Sequence, residues 1–195
     1  MSPRAAERPT IVVTIGHSTR SLEELLELLE AHGVEHLADV RTIPRSRHNP
    51  QFNRERLARD LRRAGIGYTH MPTLGGLRHA RPDSPNQGWR NASFRGFADY
   101  MQTPEFEAGI GALIEAAVSA RTVIMCAEAV PWRCHRSLIA DALCVRGIRV
   151  EHILSATRAE PHALTAFAMV EGTRVTYPPE PLPLERAARR SPAAE

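Results

Sequence analysis

The sequence predicts a single α/β domain, with a mostly parallel sheet of about five strands and helices on both faces. The main observation is that short apolar, β-branched runs alternate with segments of helical apolar spacing along most of the chain, as in parallel sheets with crossover helices. A length of 195 residues with 43% hydrophobic side chains also suits one domain with a substantial core. We expect this domain to span 10–177, between a flexible segment at 1–9 and a disordered Pro- and Ala-rich tail at 178–195.

The first two predicted strands are separated by a helix with clear end signals. Thr10–Ile15 is rich in β-branched residues, which favour strands. In the helix that follows, Ser21 is the predicted N-cap with Glu24 as its capping-box partner, and Gly33 ends the leucine stripe. His36–Val40 is then predicted to be the second strand.

The middle of the chain contains a helix, a strand and two long loops. Phe52–Ala64 has leucines at helical spacing, and Gly67–Met71 is predicted to be the third strand. Thr42–Gln51 contains two prolines and is predicted to be a loop. Leu77–Arg95 is rich in Arg, Pro, Asn and Gly without periodicity, so we expect a functional loop or a lid there.

The last third of the chain again alternates helices with strands. Pro104 suits the first turn of one of these helices. The predicted helices are Phe94–Met101, Glu105–Ala120, Ser137–Cys144 and a short one at Pro161–Met169, and the predicted strands are Thr122–Met125, Arg149–Leu154 and an extended stretch at Thr173–Tyr177.

The basic residues exclude some chemistry and are unevenly distributed. All 25 are Arg, so mechanisms that need a lysine Schiff base or a P-loop lysine are excluded. Residues 41–95 hold 12 Arg against three acids, a net charge of +9, whereas the remainder holds 13 against 19, a net charge of −6. This electropositive region indicates either a solvated arginine surface or a face that binds an anion or nucleic acid.

The N-terminal residues and the cysteines predict a cytoplasmic protein. Ser2–Pro9 is polar and charged and lacks the apolar core of a signal peptide, and no segment approaches 18 apolar residues, so no membrane partner is expected. Three cysteines, an odd number, do not form a disulfide framework. Reduced thiols are the default in the cytoplasm.

Polar or glycine residues cluster where the predicted strands end. Because the carboxyl ends of parallel strands share one edge of a sheet, we expect these residues to meet in one cleft. They are His17 and Ser18 after strand one, Asp39 and Arg41 at the end of strand two, Gly75 and Gly76 after strand three, and the stretch Cys126–Arg136 after strand four.

The loop after the fourth strand carries two thiols and the groups that could activate them. Cys134 stands beside His135 and Arg136 at a helix start, where thiol pKa values fall, so it is predicted to be reactive. Cys126 is the other candidate nucleophile, although a cysteine at a strand end is also often a small buried hydrophobe. Glu128 could orient the reacting groups or simply cap a turn.

Three known templates do not fit this loop. A tyrosine-phosphatase loop needs five residues between Cys and Arg, whereas six separate Cys126 from Arg133. A Gly-rich dinucleotide fingerprint follows none of the strands, so no cofactor is predicted. A zinc site would need Cys126, Cys134, His135 and His17. These residues lack the C-x2-4-C spacing of a ligand pair, so no metal is predicted either.

Five short motifs occur in one order along the chain: Thr14–Ser18, Asp39–Arg41 with Pro44 and Ser46, Tyr68 through Leu74–Gly76, Cys126–Glu128, and Cys134–Arg136. Together they resemble the bacterial and archaeal family known as domain of unknown function 488, over roughly Thr10–Ser155. The resemblance implies an α/β domain with a shared pocket and brings no settled activity.

These residues predict an enzyme that acts on an anionic small molecule at a Cys/His/Arg pocket, as a transferase or hydrolase, with nucleotide-like molecules among the candidate substrates. The alternative is a nucleic-acid-binding module that uses the Arg-rich 41–95 region, with Trp89 and Phe94 as stacking platforms. In the enzyme, the predicted ligand-binding residues are Ser18, Arg41, Gly75, Gly76 and Arg136, and the predicted catalytic residues are Cys126 or Cys134 as nucleophile, His17 or His135 for proton transfer, and Asp39 and Glu128 as orienting groups.

Overall fold

The computed structural model describes residues 10–179 of the 195-residue chain. The predicted flexible segment at 1–9 and nearly all of the predicted tail at 178–195 therefore lie outside the described residues. The strands of the described part are β1 (Ile11–Gly16), β2 (His36–Asp39), β3 (Gly67–His70), β4 (Thr122–Cys126), β5 (Arg149–Ser155), β6 (Arg158–Pro161), β7 (Met169–Glu171) and β8 (Arg174–Thr176). Its α-helices are α1 (Leu22–Ala31), α2 (Arg54–Arg63), α3 (Ala92–Tyr100), α4 (Pro104–Ser119) and α5 (Arg136–Cys144).

Six of these strands form one sheet in the order β3-β2-β4-β1-β5-β6, and β7 pairs with β8 in a separate antiparallel hairpin. β1 pairs in parallel with β4 and β5, and β2 pairs in parallel with β3 and β4. β6 runs antiparallel to β5 at the edge of the sheet. The predicted class, a single α/β domain with a mostly parallel sheet, is confirmed, and β6 extends the sheet beyond the five predicted strands.

Successive residues of a strand point to opposite faces of the sheet, so each face carries apolar side chains and is covered by helices. Val12 of β1 belongs to the same core cluster as Leu113 of α4 and Leu138 of α5. Val13, the next residue, belongs to the core cluster on the other face, with Leu25 of α1 and apolar residues of α2. The two cores place α1 and α2 on one face and α3, α4 and α5 on the other.

This arrangement creates a crevice between the carboxyl ends of β1 and β4. The chain leaves β1 toward α1 on one face, whereas it leaves the neighbouring β4 toward α5 on the opposite face. Adjacent strands with diverging connections form the ligand-binding crevice of open α/β sheets. The polar loops predicted from the sequence begin at this crevice.

The ends of the helices agree with the capping signals in the sequence. Ser21 caps α1 and forms the predicted capping box with Glu24. Thr103 caps α4, and Pro104 occupies the first helical position, where its missing N–H is not needed. The predicted helix at Phe52–Ala64 begins as α2 only at Arg54, after a short 3-10 helix at Pro50–Phe52.

The prediction of a short helix at Pro161–Met169 is wrong. The described backbone runs from the end of β6 to β7 without forming a helix. The His162 N–H donates to the carbonyl of Val150, and both the N–H and the hydroxyl of Thr165 donate to the Asp141 carboxylate. The segment is therefore held against β5 and α5 by tertiary hydrogen bonds, which outweigh its weak local helical tendency.

The predicted loop Leu77–Arg95 is irregular up to the first turn of α3, which Asn91 caps. The Asp99 carboxylate, on α3, fixes its middle by accepting hydrogen bonds from the Ser84 hydroxyl and from the Asn86 side chain at 2.8 Å. Asn86 in turn accepts a hydrogen bond from a backbone N–H near the end of the described chain. The role of this loop as a lid remains a prediction.

A buried chain of hydrogen bonds runs through the middle of the domain. It connects α5 to β1, β5 and the segment after β6, and its successive distances are 3.2, 2.8, 2.9 and 2.7 Å. The carboxylate of Asp141, at the end of this chain of hydrogen bonds, also accepts a hydrogen bond from the Tyr177 hydroxyl at 2.7 Å. The members of this hydrogen-bonded chain, in order, are Arg136, Thr14, His152, His162 and Asp141.

Candidate active site

A cavity of about 740 Å³ opens at the crevice between β1 and β4. The loops that follow β1, β2, β3 and β4 line it, together with the start of α3. Its lining includes eight residues predicted from the sequence, which are His17, Ser18, Arg41, Gly76, Cys126, Glu128, Cys134 and His135. The other three predicted residues, Asp39, Gly75 and Arg136, do not line the cavity and lie buried behind it.

Asp39 holds Arg41 in place from behind the cavity. The fully buried carboxylate accepts hydrogen bonds from two guanidinium nitrogens of Arg41, at 2.8 and 2.5 Å. The same carboxylate accepts a hydrogen bond from the Tyr68 hydroxyl at 2.8 Å, and Arg41 also donates to the carbonyl of Phe52. Asp39 therefore acts as the ion-pair partner that fixes the loop after β2.

His17 is a neutral imidazole with both nitrogens engaged. Its Nδ1 lies 2.9 Å from the carbonyl of Ser18, to which it donates, and its Nε2 lies 3.3 Å from Arg41, from which it accepts. The ring stacks on Phe52 with a centroid distance of 4.2 Å. Burial is the largest cause that lowers the pKa of His17 from 6.5 to about 4, and Arg41 adds to it. His17 is thus a weak base at neutral pH.

Two thiols and one imidazole form a compact cluster at the floor of the cavity. Nδ1 of His135 lies 3.6 Å from Sγ of Cys134 and 4.0 Å from Sγ of Cys126, and the three atoms all lie within 4.8 Å of one another. Both cysteines are buried. Nε2 of His135 lies 3.1 Å from the carbonyl of Val40, to which it donates, so the lone pair of Nδ1 faces the sulfurs.

The two thiols have opposite pKa shifts. A hydrogen bond from the Cys126 thiol is the largest influence that lowers the pKa of Cys134, and His135 and Arg136 act in the same direction against the effect of burial. The pKa of Cys126 is raised, first by this shared hydrogen bond and then by burial. One negative charge is therefore favoured in the pair, on Cys134. Burial raises the pKa of Cys144, the last residue of α5, which does not line the cavity.

Gly76 allows the His135 ring to occupy its position. A Cβ atom at Gly76 would lie 2.4 Å from Nδ1 of His135, so any larger residue would displace the ring. Phe97 contacts the same ring with a centroid distance of 5.0 Å. Gly75 has a different role, since a Cβ atom there would lie 2.4 Å from the hydroxyl of Thr42 in the loop after β2.

Arg136 supports the loop after β4 from below. Its guanidinium is buried and donates to the carbonyl of Glu128 at 2.6 Å and to the hydroxyl of Thr14 at 3.2 Å. The loop also passes directly over Gly16, where a Cβ atom would lie 1.7 Å from the carbonyl of Glu128. The Glu128 backbone is thus fixed from two sides, while its exposed side chain lines the cavity.

Sequence reasoning missed several residues that line the cavity. Most of them belong to the loop after β2, which follows a strand at the same edge as the other candidate residues. The rule that placed His17 and Cys126 in the site would therefore have included that loop. The missed residues are Thr19, Thr42, Ile43, Arg45, Ser46, Asn49, Leu77, Asn91 and Ser93.

The two proposed stacking residues do not form an open platform. Trp89 packs against Phe94, Phe167 and Tyr177 with centroid distances of 4.7, 4.9 and 5.5 Å, and it is partly buried. Phe94 uses one side in this cluster and also lines the cavity. The two aromatic side chains therefore pack against each other and against their neighbours.

We predict that the protein loses stability as the pH falls from 7 to 5. The pKa values of His17 and His152 are lowered from 6.5 to about 4, chiefly by burial. Between pH 6.5 and about pH 4 the folded chain thus binds fewer protons than the unfolded chain. The stability contributed by the two neutral histidines is therefore complete above pH 6.5 and is lost as the pH falls toward 4. Urea unfolding at several pH values measures this loss. His17→Gln should reduce the slope and His79→Gln, an exposed control, should not, whereas equal stability at pH 7 and 5 would contradict the prediction.

The fold and the cavity define a doubly wound α/β protein with a cavity at the switch point of its sheet. The chain belongs to the family described as domain of unknown function DUF488, whose model matches residues 21–143. The resemblance noted in its sequence motifs is thereby confirmed. Comparisons with curated proteins and with solved structures yield no match. Among residues 10–179, no helix is long and apolar enough to cross a membrane.

Proposed function

We propose that the protein is an enzyme that binds an anionic, nucleotide-like small molecule in this cavity and carries out group transfer or hydrolysis at the cluster of Cys126, Cys134 and His135. The observation that carries the proposal is the meeting of arginines with a buried thiol–imidazole cluster in one cavity at the switch point. A volume of about 740 Å³ is in the range of small-molecule sites.

The anionic part of the ligand would lie among the arginines of the cavity. Arg41 lines the wall next to His17, and Arg45 and Arg133 are exposed at the rim. Among the described residues, neither rim arginine forms an ion pair. Their guanidinium groups are therefore free to bind a phosphate or carboxylate through paired N–H donors. Arg136 contributes positive charge from below and supports the loop.

The uncharged part of the ligand would lie against the apolar rim. Ile43 and Leu77 line the cavity and are 64% and 69% exposed, so they give the cavity an apolar rim. Phe94 lines the same side with part of its ring. An apolar rim beside arginines fits a molecule with one charged end and one flat or apolar end, as a nucleotide has.

The reacting end would face the thiol–imidazole cluster. A sulfur of Cys126 or Cys134 provides either the attacking atom or a ligand for the attacking group. His135 is placed to accept a proton through Nδ1, because its Nε2 proton is held by the Val40 carbonyl. His17 contributes a neutral polar wall, since its lowered pKa makes it a poor proton acceptor.

We predict that phosphate-bearing small molecules stabilise the folded protein. A ligand at about 100 times its Kd adds roughly 2.7 kcal/mol to the free energy of unfolding, which thermal melts detect readily. Inorganic phosphate, ribose 5-phosphate and AMP are suitable probes. Replacing Arg45 and Arg133 by Ala should weaken the stabilisation by AMP about tenfold or more in Kd, whereas Arg149→Ala, at the amino end of β5, should leave it unchanged.

The competing nucleic-acid hypothesis has a different signature. Binding to an oligonucleotide that neutralises many phosphates weakens steeply with salt, whereas a single phosphate in a small pocket has a shallow salt dependence. If the protein bound a long oligonucleotide with a steep salt dependence and none of the three small probes stabilised it, the proposed small-molecule enzyme would be contradicted.

A further inference from the structure

We propose that Cys126, Cys134 and His135 bind a zinc ion whose fourth ligand position opens into the cavity. The inference rests on the proposed function and adds the identity of its reacting centre. In the zinc-bound protein Nδ1 of His135 would be a metal ligand, so the proton would go to another group of the cavity. The spacing of these residues along the chain does not indicate a metal, because seven residues separate the two cysteines. The fold brings them together by placing one at the end of β4 and the other just before α5.

The distances between the three side chains are close to those of a tetrahedral zinc site. With Zn–S near 2.3 Å and Zn–N near 2.0 Å, neighbouring ligand atoms of a tetrahedral zinc lie roughly 3.5–3.8 Å apart. The two sulfur–nitrogen distances are 3.6 and 4.0 Å, and all three atoms lie within 4.8 Å of one another. Side-chain shifts that bring the ligand atoms together by up to about 1 Å would complete the geometry.

The orientation of His135 is independent support for a metal. Its Nε2 donates to the backbone carbonyl of Val40, which fixes the tautomer that leaves the Nδ1 lone pair directed at both sulfurs. Metal-binding histidines almost always donate their other ring N–H to a carbonyl or carboxylate in this way. Gly76 and Phe97 confine the ring, so the ligand atom is held in position before the metal binds.

The donor set and the local charge favour zinc with an open position. Two thiolates and one imidazole are ligands that zinc prefers, and catalytic zinc sites combine three protein ligands with one water. Two thiolates neutralise the charge of the ion, and a bound hydroxide then brings one negative charge. Arg136 lies close enough to act electrostatically on both thiols, and its buried guanidinium has no carboxylate partner among residues 10–179. The cation of Arg136 therefore balances that hydroxide.

This centre would hydrolyse an anionic ester bound in the cavity. Zinc-bound water would give a proton to the carboxylate of Glu128, an acidic residue of the cavity lining. The resulting hydroxide oxygen forms a bond to the electrophilic carbon or phosphorus, and the bond to the leaving oxygen breaks. The leaving oxygen then takes the proton back from Glu128. One water is consumed, and zinc keeps its oxidation state throughout.

The metal content of the purified protein tests the proposal. The 195-residue chain is produced without a metal-affinity tag, kept reduced and analysed by elemental mass spectrometry. We expect about one zinc per chain, because one chain supplies all three protein ligands. Cys126→Ser and Cys134→Ser should each reduce the zinc content at least fivefold. The matched control Cys144→Ser, which changes the cysteine outside the cluster, should retain it.

A second measurement uses the wild-type chain alone, so that a poorly folded variant cannot decide the outcome. Protein stripped with a chelator is titrated with Co²⁺, and sulfur-to-cobalt charge-transfer absorption of a tetrahedral site should appear and be displaced by Zn²⁺. Zinc should also slow iodoacetamide labelling of Cys126 and Cys134 at least tenfold without protecting Cys144.

Absence of zinc from the purified chain, together with absence of the cobalt absorption, would overturn the metal proposal. In that case rapid labelling of Cys134 by iodoacetamide would show that the cluster holds a reactive thiolate without a metal. Stabilisation by AMP would then still test the proposed ligand class of the enzyme. Conversely, a zinc-loaded chain that none of the phosphate probes stabilises would contradict the proposed ligand class while leaving the metal site intact.

Discussion

Replacing Asp141 by Ala should lower the free energy of unfolding by about 3–5 kcal/mol, which is the usual result of breaking a buried charged network. The Asp141 carboxylate is fully buried and accepts four hydrogen bonds. Its donors are His162, Thr165, which donates twice, and Tyr177, at distances between 2.7 and 3.0 Å.

The reason for so large an effect is that the donors are left without a partner in the interior. A buried donor that loses its acceptor costs about 1–3 kcal/mol, and the three residues involved come from the segment that closes over α5. Tyr177 is fully buried, so its hydroxyl cannot turn to solvent. The loss should therefore include loosening of the segment between β6 and β8.

Urea unfolding of the wild type and of two alanine variants measures this prediction. Asp83→Ala is the matched control, because Asp83 is 70% exposed and pairs with Arg81 at the surface. Such surface pairs contribute about 0–1 kcal/mol, so the control should change stability little. An Asp141→Ala protein within 1 kcal/mol of the wild type would show that the network is not a main source of stability.

Replacing Asp39 by Ala should destabilise the protein by a similar amount, about 3–5 kcal/mol, and should also weaken ligand binding. Arg41 is only 5% exposed, and the change removes the carboxylate that pairs with its cation. An uncompensated buried charge is strongly unfavourable. The same change also removes the acceptor of the Tyr68 hydroxyl. Freed from Asp39, Arg41 should move away from the cavity wall, so stabilisation by AMP should decrease.

A double-mutant cycle separates the ion pair from simple loss of packing. Arg41→Met removes the charge and keeps the length of the side chain, and the double variant Asp39→Ala/Arg41→Met leaves no charge unpaired. We expect the double variant to be more stable than Asp39→Ala alone by at least about 1 kcal/mol, since residues in contact show coupling of about 0.5–3 kcal/mol. Strictly additive effects in the cycle would contradict the role given to this ion pair.

The fold class followed from the sequence because it depends on local patterns. The β-branched runs at Ile11–Gly16 and Thr122–Cys126 and the leucine stripe after Ser21 are local signals of strand and helix, and the structure contains them at these positions. Strand order is not a local property. The insertion of β4 between β1 and β2 and the antiparallel β6 at the edge depend on which faces pack together, so no pattern in the sequence predicted them.

The failure at Pro161–Met169 has the same physical origin. Its local composition permits a helix. However, the carboxylate of Asp141, 20 positions earlier than Pro161, accepts hydrogen bonds from the backbone N–H and the hydroxyl of Thr165. A hydrogen bond to a buried carboxylate contributes more than weak helical propensity does. Contacts distant along the chain therefore decided the conformation of this segment.

The sequence by itself determined that polar groups collect at the carboxyl ends of parallel strands, because strand ends and their loops are visible as local patterns. His17, Arg41, Cys126 and Cys134 were placed in one cleft on that basis, and the cavity is lined by all four. Only the tertiary structure decided how each group is buried and which partners it has. Arg136, a predicted ligand-binding residue, is buried and donates to the carbonyl of Glu128 in the loop after β4 and to the hydroxyl of Thr14.

The same holds for the base and the thiols of the candidate site. His17 is made neutral by burial and by Arg41, neither of which is visible in the motif around it. The metal-like arrangement of Cys126, Cys134 and His135 arises because β4 and α5 bring distant positions within 4.8 Å. A sequence records which groups are present, whereas their charge and partners depend on burial and on distances that exist only after the chain has folded.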